Sequence, residues 1–216
     1  MSNYIKDLIA EGEHQQLDFK FEVSDSKKIA RSLVAFANTD GGRLLVGVKD
    51  NGAIAGVRSD EEYYMIDGAA KIHCRPEIEF RSKEYKVDGR LVMEIIIGKS
   101  PHKPHYAPDK DDKWKVFVRV GDQNLVANKV LLQVWKHRKN KTAVQVRYLE
   151  QEEILFKYLM EHNSISLSQF CKIARIPKFI AEKILVNFIL LDIIRMNIGE
   201  KHTTYQLKQD LDGLRD

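Results

Sequence analysis

Cysteine is nearly missing from this chain. Its two cysteines, Cys74 and Cys171, stand 97 positions apart, too few and too distant for a disulfide framework or a compact zinc box. A reducing cytoplasm is the compartment such usage points to. Long hydrophobic runs are missing as well. The most apolar stretch, Val186 to Met196, is broken by Asn187 and Asp192, so no membrane-spanning segment is expected. The opening MSNYIKDLIAEGEHQ lacks the apolar core of a signal peptide. Internal repeats and low-complexity tracts do not occur, and charge of one sign does not dominate. The net charge of +4 is too small to imply nucleic acid by itself.

What is there is the composition of a globular protein, 44% hydrophobic and 31% charged. The 216 residues allow one large domain or two small ones, with enough length to bury a core without metal or disulfide staples. The distribution of charge says more than its sum. Residues 1–147 hold 26 basic and 21 acidic side chains, whereas residues 148–216 hold 9 and 10, which assigns the basic character to the first part. That part ends in a strip, Lys136, Arg138, Lys139, Lys141 and Arg147, with no acidic residue between 136 and 147, a candidate set of phosphate contacts.

Periodicity places the elements. Leu17 to Glu22 alternates apolar and charged residues, as a strand with one buried face does, which puts Asp18, Lys20 and Glu22 together on the solvent face. Residues 26–38 carry apolar side chains at helical spacing and run into Gly41-Gly42, a C-terminal cap signal. Arg43 to Asp50 reads as a strand, Asn51-Gly52 as a hairpin turn and Ala53 to Val57 as the return. A helix over 59–72 follows, then strands at 77–86, 90–98 and 115–122, the first two joined at Asp88-Gly89. A helix over 127–139 closes this unit. Beyond it, helices at 148–162, 167–174 and 177–190 and two short strands around Gly199 follow the plan of a winged helix-turn-helix. The expected organisation is therefore a first domain over 1–138, a basic linker over 139–147 and a winged-helix domain over 148–210.

Glu13 through Lys20 (EHQQLDFK), Ala35 through Val48 (AFANTDGGRLLVGV), Asp50-Asn51-Gly52 and Gly56-Val57 together resemble the Schlafen AlbA_2 family. Its usual form is an acidic residue, five positions on a second one, then A-F-A-N-x-x-G-G and G-V-x-D-x-G. Phe117 to Gly121, after the loop Ser100 to His105, looks like that family's closing strand. The resemblance covers roughly residues 11–135. It implies an α/β (α+β) fold, an Alba-like mixed sheet with helices, and an association with nucleic acid. Prokaryotic members are described as DNA-binding domains or transcriptional regulators, often followed by a helix-turn-helix.

Animal Schlafens with a related pattern are metal-dependent endoribonucleases acting on structured RNA. Their three carboxylates fall here on Glu13, Asp18 and Asp50. Carboxylates are the donors that magnesium or manganese prefers, and such a metal activates water and stabilises charge on a phosphodiester. Asp50, directly before Asn-Gly, reads equally well as a turn residue. Those nucleases carry two copies of the fold and a zinc site. Only one copy fits before residue 147 here, and His73-Cys74 has no second cysteine nearby.

The Gly41-Gly42 segment lies between helix and strand rather than between strand and helix, so it reads as a helix cap and not a phosphate cradle. His102, Lys103, His105 and Tyr106 form a loop able to offer stacking and charge to nucleic acid. The expected phosphate contacts are Lys20, Lys49, Arg119 and the strip at 136–147, with Lys178 and Lys183 on the third C-terminal helix, which is thin in basic and amide side chains and reads equally well as a dimerisation or scaffold element. That helix carries Phe179, Ile180, Leu185, Val186, Phe188, Ile189 and Leu190 nearly all around it, an apolar excess that leads to the expectation of a homodimer. The function expected from all this is nucleic-acid binding by a transcriptional regulator. The alternative is a metal-dependent endoribonuclease using the trio.

Overall fold

A computed structural model of the protein describes residues 2–140 and 150–208. Lys141 and Arg147 of the basic strip lie outside the described residues. The chain divides into two compact units, Met1–Ala127 and Asn128–Asp216.

The first unit is mixed α/β. It begins with α1 (Ser2–Glu11), β1 (Leu17–Lys20), α2 (Ser26–Asn38), β2 (Gly42–Val46), α3 (Glu61–Ile72), β3 (Phe80–Val87) and β4 (Arg90–Ile97). The strands form one sheet in the order β1-β2-β4-β3. β1 and β2 run parallel, with Asp18 opposite Leu44, and the other pairs are antiparallel. The parallel pair needs a crossover, which α2 supplies. Two small hairpins follow, β5 (Ala107–Pro108) with β6 (Trp114–Lys115) and β7 (Phe117–Val120) with β8 (Gln123–Val126). Asp88 and Gly89 both take positive φ, 49° and 78°, as the tight turn between β3 and β4 requires.

Both faces of the sheet are buried. Leu44 and Val46 join Ile29, Leu33, Phe36 and Ile95 in a core under α2. Leu45, between them, points the other way and packs with Ile5, Leu8, Leu17, Phe19 and Val92 under α1, the period of two that a strand imposes. Here the structure corrects the sequence reading. Leu17 and Phe19 do share one buried face, but the opposite face is not solvated: α2 lies there, and Asp18 is only 3% exposed. The helix α1 and strand β8 were not expected, and the return strand after Asn51-Gly52 shrinks to a single bridge between Val48 and Ile54.

The A-F-A-N-x-x-G-G segment is explained by packing. Asp25 caps α2 by accepting from the N–H groups of Lys27 and Lys28. At the other end Gly41 takes φ +73° and donates to the carbonyl of Phe36 at 2.9 Å. A Cβ on Gly42 would sit 2.4 Å from the Phe36 ring, so this position admits only glycine while the ring stays. Asn38 Nδ2 donates to the carbonyls of His105 and Phe117, both at 2.9 Å, and its Oδ1 accepts from His105 N–H at 2.8 Å. His105 is thereby buried, its ring bonded to Pro76 O and Ser100 Oγ. Of the loop expected to meet nucleic acid, this histidine belongs to the interior.

The second unit contains α4 (Lys129–Asn140), α5 (Glu150–Glu161), β9 (Ile165–Ser166), α6 (Leu167–Ile173), α7 (Lys178–Leu190), β10 (Ile194–Ile198) and β11 (Thr203–Leu207). The three strands pair antiparallel in the order β10-β11-β9. A capping box between Ser166 and Gln169 starts α6. Val130 and Val134 of α4 enter one core with Leu155, Phe170, Ala181, Leu185, Phe188 and Tyr205. The helix expected to close the first unit thus packs in the second, and the division falls at Ala127 rather than at residue 138. This packing also removes the premise of the homodimer. Leu185, Val186, Phe188 and Ile189 are buried within the unit, and Phe179 alone on α7 is a large exposed apolar side chain, at 63%. Among the described residues no helix is long and apolar enough to cross a membrane.

Candidate functional site

A cleft of about 690 Å³ opens in the first unit. β1 brings Asp18 and Lys20 to it, α2 brings Lys28, Arg31 and Ser32, and the β7–β8 hairpin brings Phe117, Arg119 and Asn124. Glu13, from the turn before β1, and Asp50, from the turn after β2, line the same space. The three carboxylates picked out in the sequence therefore share one cleft.

Their environments differ. Glu13 Oε1 accepts from Phe19 N–H at 2.7 Å. Burial, together with a hydrogen bond to Asp18, pushes the Glu13 carboxyl up to about 7. Burial alone would raise Asp18 too. The hydrogen bond from Glu13 and the charges of Lys20 and Arg119 outweigh it and hold Asp18 below the ordinary carboxylate range. Lys20 Nζ lies 3.0 Å and Arg119 Nη2 3.5 Å from the Asp18 carboxylate, and Ser32 Oγ donates to it at 3.4 Å. Glu13 and Asp18 thus perturb each other, and Asp18 is compensated from inside the protein by Lys20 and Arg119. Asp50 is exposed, and it is Asn51 Oδ1, not Asp50, that accepts from Ala53 N–H in the turn.

This arrangement does not fit a divalent metal. A metal needs carboxylate oxygens free to coordinate, whereas Asp18 is paired with two cations and Glu13 Oε1 accepts from a backbone amide. Among the described residues no group of three His, Cys, Asp or Glu side chains is placed to hold an ion. Sharing a cleft is therefore not the same as forming a centre.

The expected phosphate contacts are also dispersed. Arg119 is 2% exposed and spends its donors on His14 O, Leu17 O and Asn124 Oδ1 as well as on Asp18, with its guanidinium 5.1 Å from the Phe36 ring centroid. It is a clamp between β7 and the β1 turn, out of reach of a phosphate. Lys20 is turned inward to Asp18 and Phe19 O. Lys49 is exposed and lies over the Phe21 ring at 5.3 Å. Lys136, Arg138 and Lys139 stand exposed on α4, and Lys178 and Lys183 on α7. Lys28, Arg31 and Asn124 are cleft residues that the sequence reading missed. The first two had a signal, since they follow the Asp25 cap on α2, and Asn124 had none because β8 was not foreseen.

The Schlafen, AlbA_2 family profile matches residues 13–128, more than half of the chain. The chain belongs to the Schlafen AlbA_2 family. The match covers the first unit from Glu13 onward, while α1 precedes it and the helices of the second unit follow it. No curated protein matches this AlbA_2 chain. Two solved structures resemble it at 21% identity. One is the DIP2311 protein from Corynebacterium diphtheriae, with a TM-score of 0.45 over 68% of this chain and 30% of that one. The other is the N-terminal domain of a RecG-related protein from Nitrosomonas europaea, with a TM-score of 0.43 over 59% of this chain and 94% of that domain. The chain thus spans less than a third of the first of these proteins.

Proposed function

We propose that this AlbA_2 protein binds nucleic acid as a transcriptional regulator of a reducing cytoplasm, its second unit serving as a winged helix-turn-helix. Family membership supports the nucleic-acid association, and the element order helix, turn, helix and ribbon supports the second unit's role. The observation that carries the reading is where the cations sit once α4 is counted with the unit it packs in. Residues 128–216 hold 15 Lys and Arg against 10 Asp and Glu, a net +5, and residues 1–127 hold 20 against 21. The sequence reading had assigned the surplus to the first part. Lys136, Arg138 and Lys139 are exposed without an ion-pair partner among the described residues, as phosphate-binding side chains must be.

The test is the affinity of the full chain for duplex DNA and for RNA, compared with a variant carrying Lys136→Ala, Arg138→Ala and Lys139→Ala. A loss of about tenfold or more is expected at fixed salt, and an unchanged affinity would contradict the reading. The other expectation, metal-dependent cleavage of structured RNA, is not favoured by the arrangement of Glu13, Asp18 and Asp50; RNA cleavage in magnesium or manganese that Asp50→Asn abolishes would contradict this.

A further inference from the structure

A second concave surface lies wholly within the second unit. The groove between α4 and α7 encloses about 530 Å³ and is lined by Gln133, Lys136, His137, Asn140, Phe179, Lys183, Val186 and Asn187. Its composition is unlike that of the cleft in the first unit, where six carboxylates face five cations. Among the described residues no carboxylate lines the groove. The acidic residue that α7 does carry, Glu182, is 2% exposed and paired with Lys129 at 2.7 Å, so it is withdrawn from this face.

Phe179 is the unusual member. It is 63% exposed while Ala181, Ile184, Leu185 and Phe188 of the same helix go into the core. An aromatic ring held in water on a rigid helix offers a flat apolar face. Lys136 and Lys183 border the same groove and have no ion-pair partner among the described residues. Gln133, Asn140 and Asn187 add amides that both donate and accept. An aromatic platform, flanking cations and amide groups make up the set that holds unpaired bases: the ring stacks on a base, the cations meet the backbone, and the amides bond base edges. A duplex keeps its base faces covered by stacking, so an exposed ring finds its counterpart in single strands. The volume falls in the usual 300–1,000 Å³ range of ligand clefts and suits roughly one or two nucleotides.

We propose that the groove between α4 and α7 binds single-stranded nucleic acid, with Phe179 as the stacking platform and Lys136 and Lys183 as phosphate contacts. This rests on the nucleic-acid reading above and adds to it which face binds and in which form the strand is held.

The experiment uses the full chain and a fluorescein-labelled oligothymidylate of about fifteen nucleotides, near the upper end of known single-strand site sizes. Anisotropy gives affinities for the wild type, Phe179→Ala and Phe179→Trp, with a labelled duplex and a polyglutamate competitor alongside. Phe179→Ala is expected to weaken single-strand binding by about 5- to 150-fold, the measured range for loss of one stacked base. It should change duplex binding by less than about threefold and leave the salt dependence unaltered, since phenylalanine carries no charge. Phe179→Trp is expected to restore affinity. Because the side chain is largely in solvent, both variants should melt as the wild type does.

Wild-type binding that Phe179→Ala leaves untouched would overturn the groove and leave the nucleic-acid reading standing. A wild type that binds neither single strand nor duplex would end both. Equal losses for duplex and single strand would contradict stacking on an unpaired base. Competition by polyglutamate as strong as by unlabelled oligonucleotide would make the occupant an acidic protein segment and overturn the proposal.

Discussion

Glu13 and Asp18 shift in opposite directions, Glu13 raised and Asp18 lowered, and the physics of that pair fixes the direction of a pH effect. Glu13 in the folded chain holds its proton up to about pH 7, against an ordinary value of 4.5, which the unfolded chain is expected to show. Between these values the unfolded chain gives up a proton that the folded chain keeps. Stability therefore falls as pH rises across that window and levels off above it. Asp18 works the other way: its contribution is present above its ordinary 3.8 and is lost as pH falls through the depressed folded value. Glu13→Gln keeps an N–H donor for Asp18 and an oxygen for Phe19 N–H while removing the ionisable group. Its Tm is expected to stay level between pH 4.5 and 7, where the wild type declines, and to exceed the wild type above pH 7. Parallel Tm profiles for the two proteins would show that Glu13 does not titrate in this raised range. The family's spacing of two acidic residues thus has a structural meaning here, an internal acid pair locked by Lys20 and Arg119.

The decisive element is α4. Its apolar positions Val130 and Val134 complete the core that α5, α6 and α7 build, and its other side carries the basic residues. Val134→Ala is expected to lower the hydrogen-exchange protection of core amides in α7 and α5 by about 1–2 kcal/mol, the cost of a small cavity. Protection in α2 and β2 should not change. Losses confined to α2 and β2 would put α4 back with the first unit. This helix also marks the limit of reading elements from sequence. Its existence was legible, because apolar spacing declares a helix, but spacing does not say which core a helix joins. α2 was fully legible because its signals are local: helical apolar spacing, a Gly-Gly end and a sharp boundary on each side. Asp18 and Glu94 were not. Each occupies a strand position that alternation or composition cannot distinguish from a solvated one, and each is buried by partners distant in sequence. Glu94, fully buried, meets Tyr4 and Tyr85 through hydrogen bonds and Arg43 through an ion pair, so groups from three other elements surround it. The family pattern picks out Glu13, Asp18 and Asp50, which line one cleft, whereas the neutralisation of Asp18 depends in part on Arg119, about a hundred residues further along the chain.

At the scale of the whole molecule, the two units divide the work by charge. The AlbA_2 unit is close to neutral and turns Lys20 and Arg119 inward onto Asp18, whereas the second unit holds the surplus. Association with nucleic acid should then be driven by phosphates meeting the exposed lysines and arginines of α4 and α7, and each neutralised phosphate releases condensed counterions. The most direct measurement is the affinity of the full chain for a nucleic-acid strand as salt concentration is varied. Engagement of Lys136, Arg138, Lys139 and Lys183 predicts a log–log slope of about −3, reduced in magnitude by about one unit when Lys183 is replaced by alanine. A slope near zero would contradict the account.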